Sequence, residues 1–213
     1  MKILVLNGSP RKGNTVTAIT TLVEAAKTDN EIEVVNTYDL NVGPCMGCGA
    51  CECYKGCVAS DDTNMIVDKM VAADMIVFAS PVYWWGITAQ MKLVIDKAYC
   101  KGAALLNKKV GVIIIGAASV DGEQYKLIRG QFKCIAEYLK WDILFHKDYS
   151  ASARDDLKKN DKAINELKLE GAKLNGMTEL TLEEMDAVTG GIIASEKHPK
   201  ERGSDKNAKV IFE

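Results

Sequence analysis

The sequence predicts an α/β fold: a doubly wound, five-stranded parallel sheet in the order 2-1-3-4-5, with helices on both faces. Two observations carry that expectation. Apolar, β-branched runs alternate with segments of helical period along most of the chain, the pattern of a parallel sheet covered by helices. The polar and glycine-rich motifs fall directly after strands, where a sheet of this kind opens its ligand crevice. A length of 213 residues with 47% hydrophobic residues suits one main core, because a domain usually takes roughly 100–200 residues.

The strands are expected at Lys2–Leu6, Glu31–Tyr38, Asp74–Ala79, Lys109–Ile115 and Trp141–His146, each a short run rich in β-branched or aromatic residues. Helical periodicity places helices near Thr15–Lys27, Asp62–Ala72, Thr88–Cys100, Gly122–Leu139 and Asp155–Leu174. One domain is therefore expected over residues 1–175, carrying a cysteine-rich loop at 44–60, with a C-terminal extension over 176–213. No internal repeat is visible.

A net charge of −2 gives no electrostatic footprint for nucleic acid or an anionic membrane surface. The first six residues lack the longer apolar region and small-residue cleavage site of a secretory signal. No stretch approaches the ~18 apolar residues of a membrane span. These features predict a cytoplasmic protein with a small-molecule ligand.

The first strand runs into Gly8-Ser9-Pro10-Arg11-Lys12-Gly13-Asn14-Thr15 and then a helical pattern. Backbone N–H groups at a helix N-terminus converge there, as a phosphate requires. Asn14 stands where the lysine of a nucleoside-triphosphate loop belongs, so nothing reaches β- and γ-phosphates. The dinucleotide fingerprint G-x-G-x-x-G is also missing. What remains is a site for one terminal phosphate, with hydrogen-bonding groups from Ser9, Asn14 and Thr15 and charge from Arg11 or Lys12. The plain alternative is an ordinary βα turn with two solvated bases.

The third strand leads into Ser80-Pro81-Val82-Tyr83-Trp84-Trp85-Gly86, which puts three consecutive aromatics at the crevice. A flat, partly apolar ring system finds stacking surface and backbone hydrogen bonds there, and isoalloxazine fits that description. Packing of the aromatics against the next helix or a second subunit is the alternative. The fourth strand ends in Gly116-Ala117-Ala118-Ser119, small residues that let the backbone come close to a ligand edge.

Five of the seven cysteines fall between Cys45 and Cys57. In a reducing compartment such crowding points to metal or redox chemistry before structural disulfides. Cys45, Cys48, Cys51 and Cys57 form a compact set, with Cys53 as an extra thiol. Four thiolates on an irregular loop can wrap an iron–sulfur cubane; a zinc tetrathiolate and a loop of free thiols are the other two readings. Cys100 and Cys134 fall in helical patterns and are expected as buried small hydrophobes.

Taken together, the Gly8–Thr15 loop, the cysteine loop and Ser80-Pro81-Val82-Tyr83-Trp84 resemble the NADPH-dependent FMN reductase branch of the flavodoxin-like proteins, especially the iron–sulfur flavoproteins. The likeness covers about Met1 to Tyr149. It implies that Ser9, Arg11, Asn14 and Thr15 hold an FMN phosphate and that Pro81, Val82, Tyr83 and Trp84 border the ring, beside Gly116 and Ala117. It also implies a [4Fe–4S] cluster on Cys45, Cys48, Cys51 and Cys57, and a homodimer or homotetramer. The activity implied is electron transfer from NAD(P)H to a quinone, flavin or azo compound, or through the cluster; a carrier that serves a ferredoxin-like partner is the rival. FMN carries the chemistry, so no catalytic side chain is expected.

Thr181 and Glu184 have the spacing of a capping box, and Leu182, Met185 and Val188 make an apolar stripe that Gly190-Gly191 would end. A short helix over 181–189 and a charged tail are expected. The same residues resemble the double-glycine leader of bacterial peptide precursors, which implies a partner-recognition or processing element.

Overall fold

The computed structural model describes residues 1–176. The expected helix at 181–189, the charged tail and the double-glycine segment lie outside the described residues. Five parallel strands, β1 (Lys2–Asn7), β2 (Glu31–Asn36), β3 (Met75–Pro81), β4 (Lys109–Gly116) and β5 (Asp142–Ser150), form one sheet in the order β2-β1-β3-β4-β5. Helices α1 (Asn14–Ala26), α2 (Thr63–Ala72), α3 (Ala89–Ala98), α4 (Glu123–Leu139) and α5 (Asp161–Leu174) connect and cover them. This is the flavodoxin-like arrangement that the alternation of apolar runs predicts.

The central strands follow from their composition. Every residue of β3 and all but the first of β4 are buried, as expected of Val/Ile-rich strands with helices on both sides. One core lies under α2, α3 and α4 around Phe78, with Phe132 at 5.3 Å and Trp141 at 5.7 Å between ring centres. The other lies under α1 and α5, around Val5, Val77 and Ile113. There α5 comes so close to α1 that a Cβ on Gly171 would stand 2.5 Å from the Leu22 carbonyl oxygen.

Most boundaries fall within two residues of expectation, and three of the differences have an evident cause. β2 ends at Asn36, because the Asn36 side chain accepts from the Tyr38 amide and turns 37–39 into a 3₁₀ turn. β5 runs on to Ser150, four residues beyond the expected end, because pairing with β4 carries its polar half to Gly116. α5 starts at Asp161, capped by the Asn160 side chain on the Ala163 amide at 3.1 Å. The expected start at Asp155 falls instead in a loop and a 3₁₀ turn at Leu157–Lys159. Among the described residues no helix is long and apolar enough to cross a membrane.

Candidate functional site

A cleft of about 500 Å³ opens at the carboxyl ends of the strands. Nine of the ten residues expected to border a cofactor line it: Ser9, Arg11, Asn14 and Thr15 after β1, Pro81, Val82 and Tyr83 after β3, and Gly116 and Ala117 after β4. Trp84 is not among them. Three further lining residues, Ala151, Ser152 and Arg154, come from the loop after β5. They are missed when β5 is ended too early; the small, polar run Ser150-Ala151-Ser152-Ala153 just before a cation is the signal that marks them.

At one end of the cleft α1 begins with Gly13 as its N-cap and no side-chain cap. Its first-turn amides are therefore available to an anion, which the helix dipole also favours. Thr15 is 3% exposed and lines the cleft, and among the described residues its hydroxyl has no hydrogen-bond partner. Two side chains expected to face a phosphate are engaged elsewhere. The Ser9 hydroxyl donates to the Arg11 carbonyl at 3.0 Å and accepts from the Arg11 amide at 3.3 Å, which shapes the loop. The Asn14 side chain donates to the Ala153 carbonyl at 2.7 Å and accepts from the Leu157 amide at 3.1 Å.

The other end is lined by less polar residues. Pro81, Val82 and Tyr83 form one side, with the Val82 amide donating to the Ile115 carbonyl at 2.8 Å. A Cβ at Gly116 would stand 2.8 Å from the Tyr125 hydroxyl and 2.9 Å from a Val82 methyl, so the floor of the cleft admits no larger residue there. Beyond Tyr83 the chain makes a two-residue hairpin turn: the Tyr83 amide donates to the Gly86 carbonyl at 2.9 Å and the Gly86 amide to the Tyr83 carbonyl at 3.0 Å. Both central residues are left-handed, Trp84 at φ +47° and Trp85 at φ +64°, where Asn-Gly is the usual choice. Trp84 is 91% exposed and meets Trp85 edge to face. It stands on the rim, facing solvent.

The cleft thus has free amides, an unpartnered hydroxyl and three cations at one end and a largely apolar wall of Pro81, Val82 and Tyr83 at the other. Its volume falls within the ~300–1,000 Å³ of small-molecule sites. These residues fit a phosphorylated planar ring system of the FMN kind.

The cysteine loop lies between β2 and α2. Cys45 and Cys48 are exposed, while Cys51, Cys53 and Cys57 are half-buried. Among the described residues no group of three or more His, Cys, Asp or Glu side chains is gathered closely enough to hold a metal ion, so this arrangement is not a preformed metal cage. Cys45 and Cys53 open, with Cys134, onto an apolar hollow of about 970 Å³ between α3 and α4. Cys100 is buried as expected, but Cys134 is exposed, because it falls on the outer side of α4, whose buried residues are Tyr125, Ile128, Phe132 and Ala136.

The loop is tied down at Cys57. Its amide donates to the Asn64 side chain at 2.8 Å, and the Asn64 amide group returns a bond to the Cys57 carbonyl at 2.7 Å. Gly56 precedes it at φ +91°, where a Cβ would also meet the Asn64 oxygen at 2.8 Å. From α3 the Lys97 ammonium, on a residue 5% exposed, donates to the Cys57 sulfur at 3.4 Å and lies 3.6 Å from the Asp61 carboxylate. Asp61 also accepts from the Gly43 and Thr63 amides at 3.0 Å each, so both ends of the cysteine loop meet at this carboxylate. The sequence signal for this network is a lysine on the apolar face of α3, beside Val94 and Ala98.

Burial pushes the Asp61 pKa up, but hydrogen bonds from Thr63 and Gly43 and the Lys97 charge outweigh it and hold the group at about 2. For Lys97, burial works against the ammonium, while Cys57 and Asp61 more than compensate and raise its pKa. Asp61 is depressed below its unfolded value of about 3.9. Its contribution, on the order of 2 kcal/mol, is fully present above pH ~4 and is lost as the pH falls toward 2. Urea denaturation at pH 7 and pH 3 checks this: the wild type is expected to lose more stability between the two than Asp61→Asn does. An equal loss in both contradicts it.

Comparison with known proteins adds sequence and fold relationships. The profile of a family described as NADPH-dependent FMN reductase matches residues 1–130. An iron–sulfur flavoprotein of Methanosarcina thermophila is 40% identical over 134 residues, 61% of this chain and 70% of the relative. Another, from Methanocaldococcus jannaschii, is 35% identical over 128 residues, 58% of this chain and 66% of the relative. The chain thus spans about two thirds of the length of these relatives. A solved structure described as a flavone reductase superimposes with a TM-score of 0.65 at 17% identity, covering 83% of this chain and 62% of that one, which is a likeness of fold.

Proposed function

The chain belongs to the NADPH-dependent FMN reductase family, and on that premise we propose that it is an FMN-dependent oxidoreductase passing electrons from NAD(P)H to a small acceptor, a quinone, a flavin or an azo compound. The observation that carries this reading is the meeting, in one cleft, of the uncapped N-terminus of α1 and the Thr15 hydroxyl with the Pro81–Tyr83 wall. When bound, FMN would supply the exchange of electrons between a reduced nicotinamide and the acceptor.

The polypeptide's part is binding, orientation and access. Ser9, Arg11, Asn14 and Thr15 build the phosphate end. Pro81, Val82 and Tyr83 border the ring side, Trp84 stands on the outer rim, and Gly116 and Ala117 allow close approach beneath the ring. In this reading FMN carries the chemistry, and no side chain is assigned the role of proton donor or acceptor. A homodimer or homotetramer in the cytoplasm goes with this reading.

The test is steady-state oxidation of NADH and NADPH by FMN-loaded protein, with and without a benzoquinone. Turnover that rises with quinone is expected; nicotinamide oxidation no faster than that by free FMN contradicts it.

A second reading is favoured by Cys45, Cys48, Cys51 and Cys57 and by the names of the two relatives: an iron–sulfur flavoprotein that carries electrons to a ferredoxin-like partner. Iron and acid-labile sulfide in protein purified without oxygen, together with negligible steady-state turnover, would favour the carrier. Absence of both iron and sulfide would set that reading aside.

A further inference from the structure

The loop after β5 reaches across to the phosphate loop and is bolted to it by three hydrogen bonds. The Asn14 side chain takes two of them, one with the Ala153 carbonyl and one with the Leu157 amide. The third runs the other way: Arg154 Nε donates to the Lys12 carbonyl at 3.0 Å. These partners are 139 to 143 residues apart in sequence. The contact is also close in space, since a Cβ on Gly13 would stand 3.5 Å from the Arg154 carbonyl oxygen and 3.7 Å from its Cγ.

Within the loop, the Asp156 carboxylate accepts from the amides of Ser152 at 3.0 Å and Ala153 at 2.6 Å. Those amides are thereby occupied, and the polar side chains the loop offers to the cleft are Ser152 and Arg154, of which only Arg154 carries a charge. One edge of the guanidinium is held by the Lys12 carbonyl. Among the described residues its remaining N–H groups have no partner, a fork suited to two oxygens of a phosphate. The matched family profile ends at residue 130, so this cation lies beyond the region that assigns the chain to its family.

Resting on the FMN reading, we propose that Arg154 is a phosphate-binding residue of the flavin site and that the Asn14 side chain is the latch holding the 151–157 loop over the phosphate. The cleft is then closed at its phosphate-binding end by the first and last βα loops: the loop after β1 supplies amides and the Thr15 hydroxyl, and the loop after β5 supplies a positioned guanidinium. Asn14 contributes through its backbone amide and through Arg154.

Comparing FMN with riboflavin, which lacks the phosphate, isolates this role. Equilibrium titrations by quenching of flavin fluorescence are made on the wild type, Arg154→Ala, Arg154→Lys, Asn14→Ala and the double variant. Loss of a charge-assisted bond to phosphate is expected to weaken FMN binding by Arg154→Ala about 10- to 100-fold, with riboflavin affinity unchanged. Lysine should recover part of the loss. Asn14→Ala should also weaken FMN more than riboflavin, and the double variant should bind FMN no worse than Arg154→Ala alone.

Unchanged FMN affinity in Arg154→Ala, or an equal loss for FMN and riboflavin, overturns the proposal while leaving the flavin reading intact. A wild type that binds neither compound overturns the flavin reading itself, and this one with it.

Discussion

Lys97→Met is expected to lower the stability of the fold by about 3 kcal/mol or more, the usual result of removing one partner from a buried ion pair. The Asp61 side chain is 11% exposed and the Lys97 side chain 5%, so the carboxylate left behind keeps the two amides of Gly43 and Thr63 but loses the charge opposite it. Near 2–4 °C per kcal/mol for a domain of this size, the melting temperature should fall by roughly 10 °C. Asp61→Asn in the same background removes the stranded charge, and the double variant should be more stable than Lys97→Met alone. A melting temperature within a degree of wild type would show that the pair is not closed in solution. The loss should also loosen the cysteine loop, because Lys97 reaches the Cys57 sulfur and Asp61 reaches Gly43.

The second large effect concerns the ligand. Wild-type protein is expected to bind FMN at least about 10³-fold more tightly than riboflavin. The phosphate would meet the first-turn amides of α1, the Thr15 hydroxyl and the charges of Arg11, Lys12 and Arg154. Hydrogen bonds to a charged group contribute about 1.5–3 kcal/mol each, so two or three net bonds suffice for that ratio. Raising the salt concentration should narrow it, since the cations are solvent-exposed. Competitive titration at low and high salt measures both; equal affinity for the two flavins would mean that the Gly8–Thr15 loop is an ordinary turn.

Much of this architecture is legible from local pattern. The apolar runs that became β1, β3 and β4 are continuous because helices cover both faces, and the cleft loops follow the strands that the sheet order places side by side. What was not legible depends on long-range contact. The polar stretch His146-Lys147-Asp148-Tyr149-Ser150 reads as a strand only when β4 is known to pair with it. A strand ended at His146 leaves Ser152 and Arg154 far from the strand ends that mark the site. Asn14 reads as a phosphate ligand by its place in the loop, whereas its side chain is taken by residues more than a hundred positions away. Trp84 reads as a ring neighbour, yet the left-handed turn that turns it outward has neither glycine nor asparagine at its two central positions, the usual mark of such a turn. Lys97 shows the opposite case: a cation on an apolar helix face is visible in sequence, but its carboxylate and thiol partners are not.

Binding of the flavin in this cleft is the central claim. Amide hydrogen exchange of the protein with and without one equivalent of FMN measures that location directly. Protection is expected in the segments 9–15, 81–83, 116–117 and 151–154, which line the cleft, with little change elsewhere. Protection confined to the hollow between α3 and α4, or no protection at any FMN concentration, would contradict it.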